Sequence, residues 1–355
     1  MESYQEYLKG RGAQINPKNQ FLQNEYDTSE TDGLDEPLDP ERVQTEVFYE
    51  HPKKILNKVD SPDVPFSWSL NPYQGCEHGC IYCYARNAHQ YWGFSAGLDF
   101  ERKIIVKENA PEVLYETFMK KNWEPAPVMF SGNTDCYQPL ERKLEITRRC
   151  LTVFQQFHHP LGLITKNALI LRDLDILQEL AKENLVHVSL SITTMEESLR
   201  RKMEPRTSSA KKRFETVEKL TAAGIPTGVM LGPIIPGLNN HEIPQLLEEA
   251  ANRGAVAAGY TFVRLNGAIG QIFTNWIETN YPDRAEKVLN QIKASHGGKL
   301  SDSRFGKRMS GEGAIAKSVS DLFKLTRKKH FGDRKMPAYN LEAFRRPGDN
   351  QLSLF

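Results

Sequence analysis

Residues 161–193 read LGLITKNALILRDLDILQELAKENLVHVSLSIT. A continuous apolar run comes first, then a segment with apolar residues at three- and four-residue spacing, then a second continuous apolar run. Strand, helix and strand in that order make a parallel crossover, and strands apolar throughout are buried on both faces. The alternation continues on both sides. Candidate strands are PFSWSL at 65–70, APVMFSG at 126–132, LGLITK at 161–166, VHVSLSIT at 186–193, PTGVMLGPII at 226–235 and AAGYTFVRL at 257–265. Helical patterns lie between them at 141–157, 171–184, 211–224 and 241–254, and several stop at Gly or Asn, as helix C-termini do. Six such units are too few for an eight-fold barrel. The expected fold is α/β, a partial (β/α)6 TIM-like barrel with an N-terminal arm and a C-terminal helical extension; a doubly wound sheet is the alternative.

The flanks differ. Residues 1–60 include the acidic, turn-rich NEYDTSETDGLDEPLDPE (24–41) and read as a partly disordered leader or an arm wrapped on the core. The barrel is expected over 61–270, a helical extension over 271–335, and a flexible tail over 336–355. The 355 residues carry a net charge of +1, so bulk charge demands no polyanionic partner. The start, MESYQEYLKGRGAQ, has no apolar signal core, and no apolar run approaches the roughly 18 residues of a membrane span. Five cysteines, an odd number and mostly clustered, argue against a secreted disulfide scaffold, so the expectation is cytoplasmic with reduced thiols and no membrane.

Parallel α/β folds bind ligands at the carboxyl ends of their strands. There, NPYQGCEHGCIYCYAR (71–86) places Cys76, Cys80 and Cys83 within eight residues. Gly75 and Gly79 permit the turns that would aim three sulfurs at one body. Thiolates are the usual ligands of iron–sulfur clusters, and three of them leave one iron of a four-iron cubane open. Zinc held by the three cysteines with His78 or His89 is the alternative, and unliganded cysteines a third reading.

The C-x3-C-x2-C spacing after the first strand, with aromatic Tyr82 before the third cysteine, resembles the radical S-adenosylmethionine (SAM) superfamily. ITKNALILRDLD, SLSITT and MEPRTSSAKKRFETVEKLTAAGIPTGVMLGPIIPGLN resemble the branch containing spore photoproduct lyase and the DNA repair photolyase-like proteins. The resemblance implies a 4Fe–4S cluster whose open iron is chelated by SAM, an electron donor such as flavodoxin or ferredoxin, and hydrogen abstraction from substrate. It implies that Lys166 meets the SAM carboxylate, Asn133 and Thr134 the amine, Ser191 and Thr193 the ribose, and the backbone around Gly237 the adenine. Ser191 and Thr193 stand at alternate strand positions and point the same way. Arg206 is expected to pair with a carboxylate, SAM's or a structural one. Cys136, at the end of the second strand, reads either as a hydrogen donor to a substrate radical or as an incidental small residue; Cys150 reads as core.

The sequence ends QLSLF. Gln351, Leu352, Leu354 and Phe355 match the peptide by which bacterial repair and replication proteins bind the DNA sliding clamp, with Leu and Phe as apolar anchors. Basic runs AKKR, LTRKKH and FRR, near aromatic residues, read as phosphate contacts or as solvated helix faces. The expected activity is a radical SAM lyase acting on DNA, on a damaged base. The alternatives are a radical SAM enzyme acting on RNA, a peptide or a small molecule, and a non-catalytic clamp-associated protein pinned by a metal cluster.

Overall fold

A computed structural model describes residues 7–21 and 44–348. Its strands are β1 Glu46–Glu50, β2 Leu56–Lys58, β3 Trp68–Leu70, β4 Tyr73–Gln74, β5 Lys103–Lys107, β6 Val128–Phe130, β7 Leu161–Thr165, β8 Val186–Ser191, β9 Thr227–Ile234 and β10 Ala257–Phe262. Its helices are α1 Leu98–Arg102, α2 Ala110–Met119, α3 Glu141–Leu144, α4 Ile146–Gln156, α5 Leu174–Lys182, α6 Glu197–Met203, α7 Ala210–Ala222, α8 Ile243–Asn252, α9 Ile269–Asn280, α10 Pro282–Ala294 and α11 Gly313–Phe331.

The six expected strands are β3, β6, β7, β8, β9 and β10. They pair in parallel in that order, and β2 adds an antiparallel edge on β3. No pairing joins β10 back to β3, so the barrel stays open. Val186, Val188 and Leu190 of β8 and Leu161 and Leu163 of β7 are buried in the main core under the helices. Gly162, His187, Ser189 and Gly228 alternate with them and face the concave side. The helix stops read from the sequence hold: Asn184, Gly224 and Gly254 all take positive φ. The pattern at 141–157 breaks into α3 and α4, because Glu145 has φ +52°.

A second sheet, ordered β1-β5-β4, was not read from the sequence. It places 44–60 partly in strands, and residues 7–21 pack along the cysteine loop, the wrapped arm of the two readings; residues 1–6 and 22–43 lie outside the described residues.

The flexible tail is corrected over 336–348. These residues run across the amino-terminal ends of the strands. A Cβ on Gly228 of β9 would come within 3.0 Å of Met336, and one on Gly162 of β7 within 3.1 Å of the Tyr339 hydroxyl. Tyr339 stacks on His187 of β8 with ring centroids 3.9 Å apart. Phe344 joins an aromatic group with Phe118, Phe157 and His159. The glycines leave room on the concave face, and the returning chain fills it. Gln351, Leu352, Leu354 and Phe355 lie outside the described residues. No helix among the described residues is long and apolar enough to cross a membrane.

Candidate active site at the mouth of the partial barrel

The cysteine loop leaves β4 at the carboxyl end of the sheet. Gly75 (φ +83°) and Gly79 (φ +67°) make its turns, and Cys76 N donates to Phe100 O at 2.8 Å. Cys76 and Cys80 are buried and Cys83 is half-buried. Burial first, then the Asp135 carboxylate and the other two thiols, pushes the Cys76 thiol well above its ordinary pKa; burial raises Cys80 too, against the opposing pull of Lys166. Three thiols gathered and desolvated in this way gain their stability from an electrophilic ligand. Among the described residues no group of three His, Cys, Asp or Glu side chains is gathered for a single ion. The all-cysteine donor set is the one iron–sulfur clusters use.

The loop is clamped from outside. Arg86 and Glu101 are wholly buried and paired at 2.6 Å. Arg86 Nε donates to Cys80 O at 2.9 Å. Glu101 accepts the backbone N–H groups of Gly12 (3.0 Å) and Ala13 (2.8 Å) from the N-terminal arm. A Cβ on Gly12 would stand 1.8 Å from Gly79 O, so the arm touches the loop backbone to backbone.

On the inner side stands Lys166, half-buried, one residue past β7. Its backbone N–H donates to Asp135 at 2.8 Å, and its ammonium lies 5.8 Å from the Tyr82 ring centroid. The ammonium has no hydrogen bond or ion pair to any described residue. Burial alone lowers its pKa; Cys80 and Glu204 more than offset this and hold it charged. Tyr82 donates to Glu204 and lies 3.3 Å from Thr193 Oγ1. Glu204 also accepts from Thr193 (2.6 Å) and from Arg213 (2.5 Å). Burial raises the Glu204 pKa, but Arg213 and Lys166, with the Thr193 and Tyr82 hydroxyls, reverse that and bring it to about 2. Ser191 and Thr193 point the same way, each 3.3 Å from Gly232 O.

The other expected residues divide. The Asn133 side chain donates to Gln74 at 3.0 Å, close to the loop. Thr134 donates to Tyr73 O at 2.5 Å, which commits its hydroxyl's proton to the turn rather than to a ligand. Arg206 pairs with Glu77 of the cysteine loop at 3.3 Å, the structural carboxylate of the two expected. Gly237 takes φ +81°, and a Cβ there would meet Gln291 at 2.9 Å, so its turn packs on α10. Cys136 sits in the surroundings of an incidental small residue, the second of its two readings. It is wholly buried in the main core, its backbone held by Ser131 and Thr147, and burial pushes its thiol pKa far up. Cys150 is core, as read.

Sequence reasoning missed Glu204, Arg213 and Asp135. Asp135 accepts from Thr165 Oγ1 and Lys166 N, both at 2.8 Å, and lies 3.3 Å from His78. Burial raises its pKa, and these donors bring it down to about 2. Acidic residues inside SGNTDC and MEPR, beside strand ends that carry the site, were the available signal.

The model of the radical SAM superfamily matches residues 70–250. An uncharacterised protein of Mycobacterium tuberculosis is 31% identical over 234 residues, covering 65% of this chain and 69% of that protein. Among solved structures, a spore photoproduct lyase variant aligns with TM-score 0.58 at 17% identity, covering 81% of this chain and 80% of its own. Another, with bound AdoMet and dinucleoside spore photoproduct, aligns with TM-score 0.55 at 17% identity, covering 81% and 79%. At that identity the likeness is one of fold.

Proposed function

The chain belongs to the radical SAM superfamily, and from that premise we propose that it cleaves SAM reductively at a 4Fe–4S cluster and takes hydrogen from a damaged base in DNA. The observation that carries the cofactor reading is Lys166: a charged ammonium with no hydrogen-bond or ion-pair partner among the described residues, 5.8 Å from the ring centroid of Tyr82 in the cysteine loop. Such a group is satisfied by an anion brought in by a ligand, and the SAM carboxylate is one. When bound, the cluster and SAM supply homolytic cleavage of a carbon–sulfur bond and hydrogen abstraction.

The chain's residues do the rest. Cys76, Cys80 and Cys83 hold the iron. Lys166 takes the carboxylate and fixes the cofactor's orientation. Ser191, bound only weakly to Gly232 O at 3.3 Å, is free to turn its hydroxyl to the ribose. The Tyr82–Glu204–Arg213 group keeps this wall rigid, and the open barrel shelters the reaction from water. Support for a DNA substrate comes from the motif blocks that resemble the photolyase-like branch, the fold shared with a lyase solved with bound dinucleoside spore photoproduct, and the clamp-like QLSLF.

Anaerobic purification with iron and sulfide analysis tests the cluster; Cys80→Ala is expected to abolish the charge-transfer absorption. Reduction with SAM is expected to release 5′-deoxyadenosine. Lesion-bearing oligonucleotides deuterated at the target base are expected to pass deuterium into it. Zinc without iron overturns the cofactor reading, and no transfer from any DNA lesion overturns the substrate.

A further inference from the structure

Two guanidinium groups and one carboxylate meet beside the open edge of the barrel. Arg308 takes the carboxylate: it donates to Asp63, and to Ser61 Oγ at 2.6 Å. Gly306 N occupies the other Asp63 oxygen at 2.7 Å. Arg264 is left over. It sits two residues beyond β10, half-buried, and its guanidinium makes no hydrogen bond or ion pair with any described residue. Burial and the neighbouring Arg308 both work against its charge. An arginine does not escape by deprotonation, so the arrangement is completed by an anion from outside the chain.

What lies beside it indicates which anion. The guanidinium carbon stands 5.5 Å from the centroid of the Tyr84 ring, which is 47% exposed and follows directly on Cys83. The Tyr84 hydroxyl is tied to Gly132 O, beyond β6, so the ring is fixed in place. Phe305, 56% exposed, lies under Arg308 at 4.5 Å and adds a second ring. A free guanidinium beside fixed, exposed aromatic rings matches a strand with phosphates along its backbone and flat bases between them. A carboxylate ligand would use the cation and leave the rings unused.

Resting on the nucleic-acid reading above, we infer that Arg264 and Tyr84 anchor the substrate strand. Arg264 takes a backbone phosphate and Tyr84 stacks a neighbouring base, which holds the target nucleotide over the cysteine loop. Phosphodiester and flat base are common to DNA and RNA, so the test carries both.

The test measures fluorescence anisotropy of labelled single-stranded DNA, and of RNA of the same sequence, on the cluster-loaded full chain across a salt series. Equilibrium dialysis of SAM and thermal melting run alongside. Arg264→Gln is expected to weaken oligonucleotide binding about tenfold and to reduce the salt slope by about one, with SAM affinity unchanged. Arg264→Lys keeps the charge but not the fork and is expected to fall between, which preserves the test should the glutamine variant fold poorly. Tyr84→Leu is expected to weaken binding without changing the salt slope. Oligonucleotide binding with the wild-type affinity and slope in both arginine variants overturns the inference and leaves the nucleic-acid reading standing. Loss of SAM affinity instead assigns Arg264 to the cofactor pocket and overturns it too. No oligonucleotide binding by the wild-type chain overturns both readings.

Discussion

At the scale of single residues the site turns on which charges have partners. Arg213 is committed to Glu204, while the Lys166 ammonium has no such partner among the described residues. Lys166→Met is therefore expected to lose SAM affinity by tenfold or more, on the order of a charge-assisted contact, with iron content unchanged by elemental analysis. Glu204→Gln removes the partner of a buried arginine, and its expected cost is about 3–5 kcal/mol, read as a lowered melting temperature. The pH dependence follows from the depressed carboxyl pKa of about 2. A carboxylate held below its unfolded value contributes stability above that value, near pH 4.3, and loses it as pH falls through the folded one. The wild-type melting temperature is thus expected to drop more steeply below pH 4 than that of the Gln variant; parallel curves would remove Glu204 from that role. The placement of Lys166, Ser191 and Thr193 at the carboxyl ends of β7 and β8 was legible from the strand pattern. Their supports were not, because Glu204 reaches Tyr82 across 122 positions and Asp135 reaches His78 only through the folded loops.

At the scale of elements, the six-strand alternation was legible because continuous apolar runs between helical patterns have few other solutions. The N-terminal arm stayed between two readings for a physical reason. It forms no helix or strand that a periodicity would reveal, and its bonds go to a carboxylate 88 and 89 positions away. Its composition is read together with the acidic stretch that follows it. Yet hydrogen bonds to a buried charge are worth about 1.5–3 kcal/mol each, and the arm's backbone lies against the backbone of the cysteine loop. Gly12→Val places side-chain atoms where Gly79 O already stands, 1.8 Å from the Cβ. The variant is expected to release the arm to proteolysis and to speed bleaching of the cluster absorption in air severalfold. Lys9→Ala, an exposed change on the same arm, is expected to do neither. Equal bleaching rates in Gly12→Val and wild type would make the arm a passive cover.

At the scale of the whole molecule, the chain closes its own barrel from below. An open (β/α)6 sheet leaves a concave face that complete barrels fill with layers of side chains. Here Met336, Tyr339 and Phe344 are placed against that end by a segment that composition marks as tail. The misreading has a simple cause: RKMPAYNLEAFRRPG has no period, and only the glycines at 162 and 228, far upstream, make room for it. Tyr339→Ala is expected to cost about 2–3 kcal/mol, the low end of aromatic truncations because the ring is only partly enclosed. The segment also sets where the sequence's last residues begin. Arg345 N bonds Phe157 O and Arg346 reaches Phe118 O and Lys120 O, at the end of the molecule away from the cysteine loop. We propose that Gln351, Leu352, Leu354 and Phe355 tether the chain to a sliding clamp. Truncation after Gly348 is expected to abolish capture by immobilised sliding clamp while leaving the melting temperature and SAM cleavage at their wild-type values. Truncation after Arg334 is expected to lower the melting temperature as well, because it removes Met336, Tyr339 and Phe344 together. Clamp capture that survives the shorter truncation would remove QLSLF as the tether, and a melting temperature unmoved by the longer one would remove the segment as the barrel's floor.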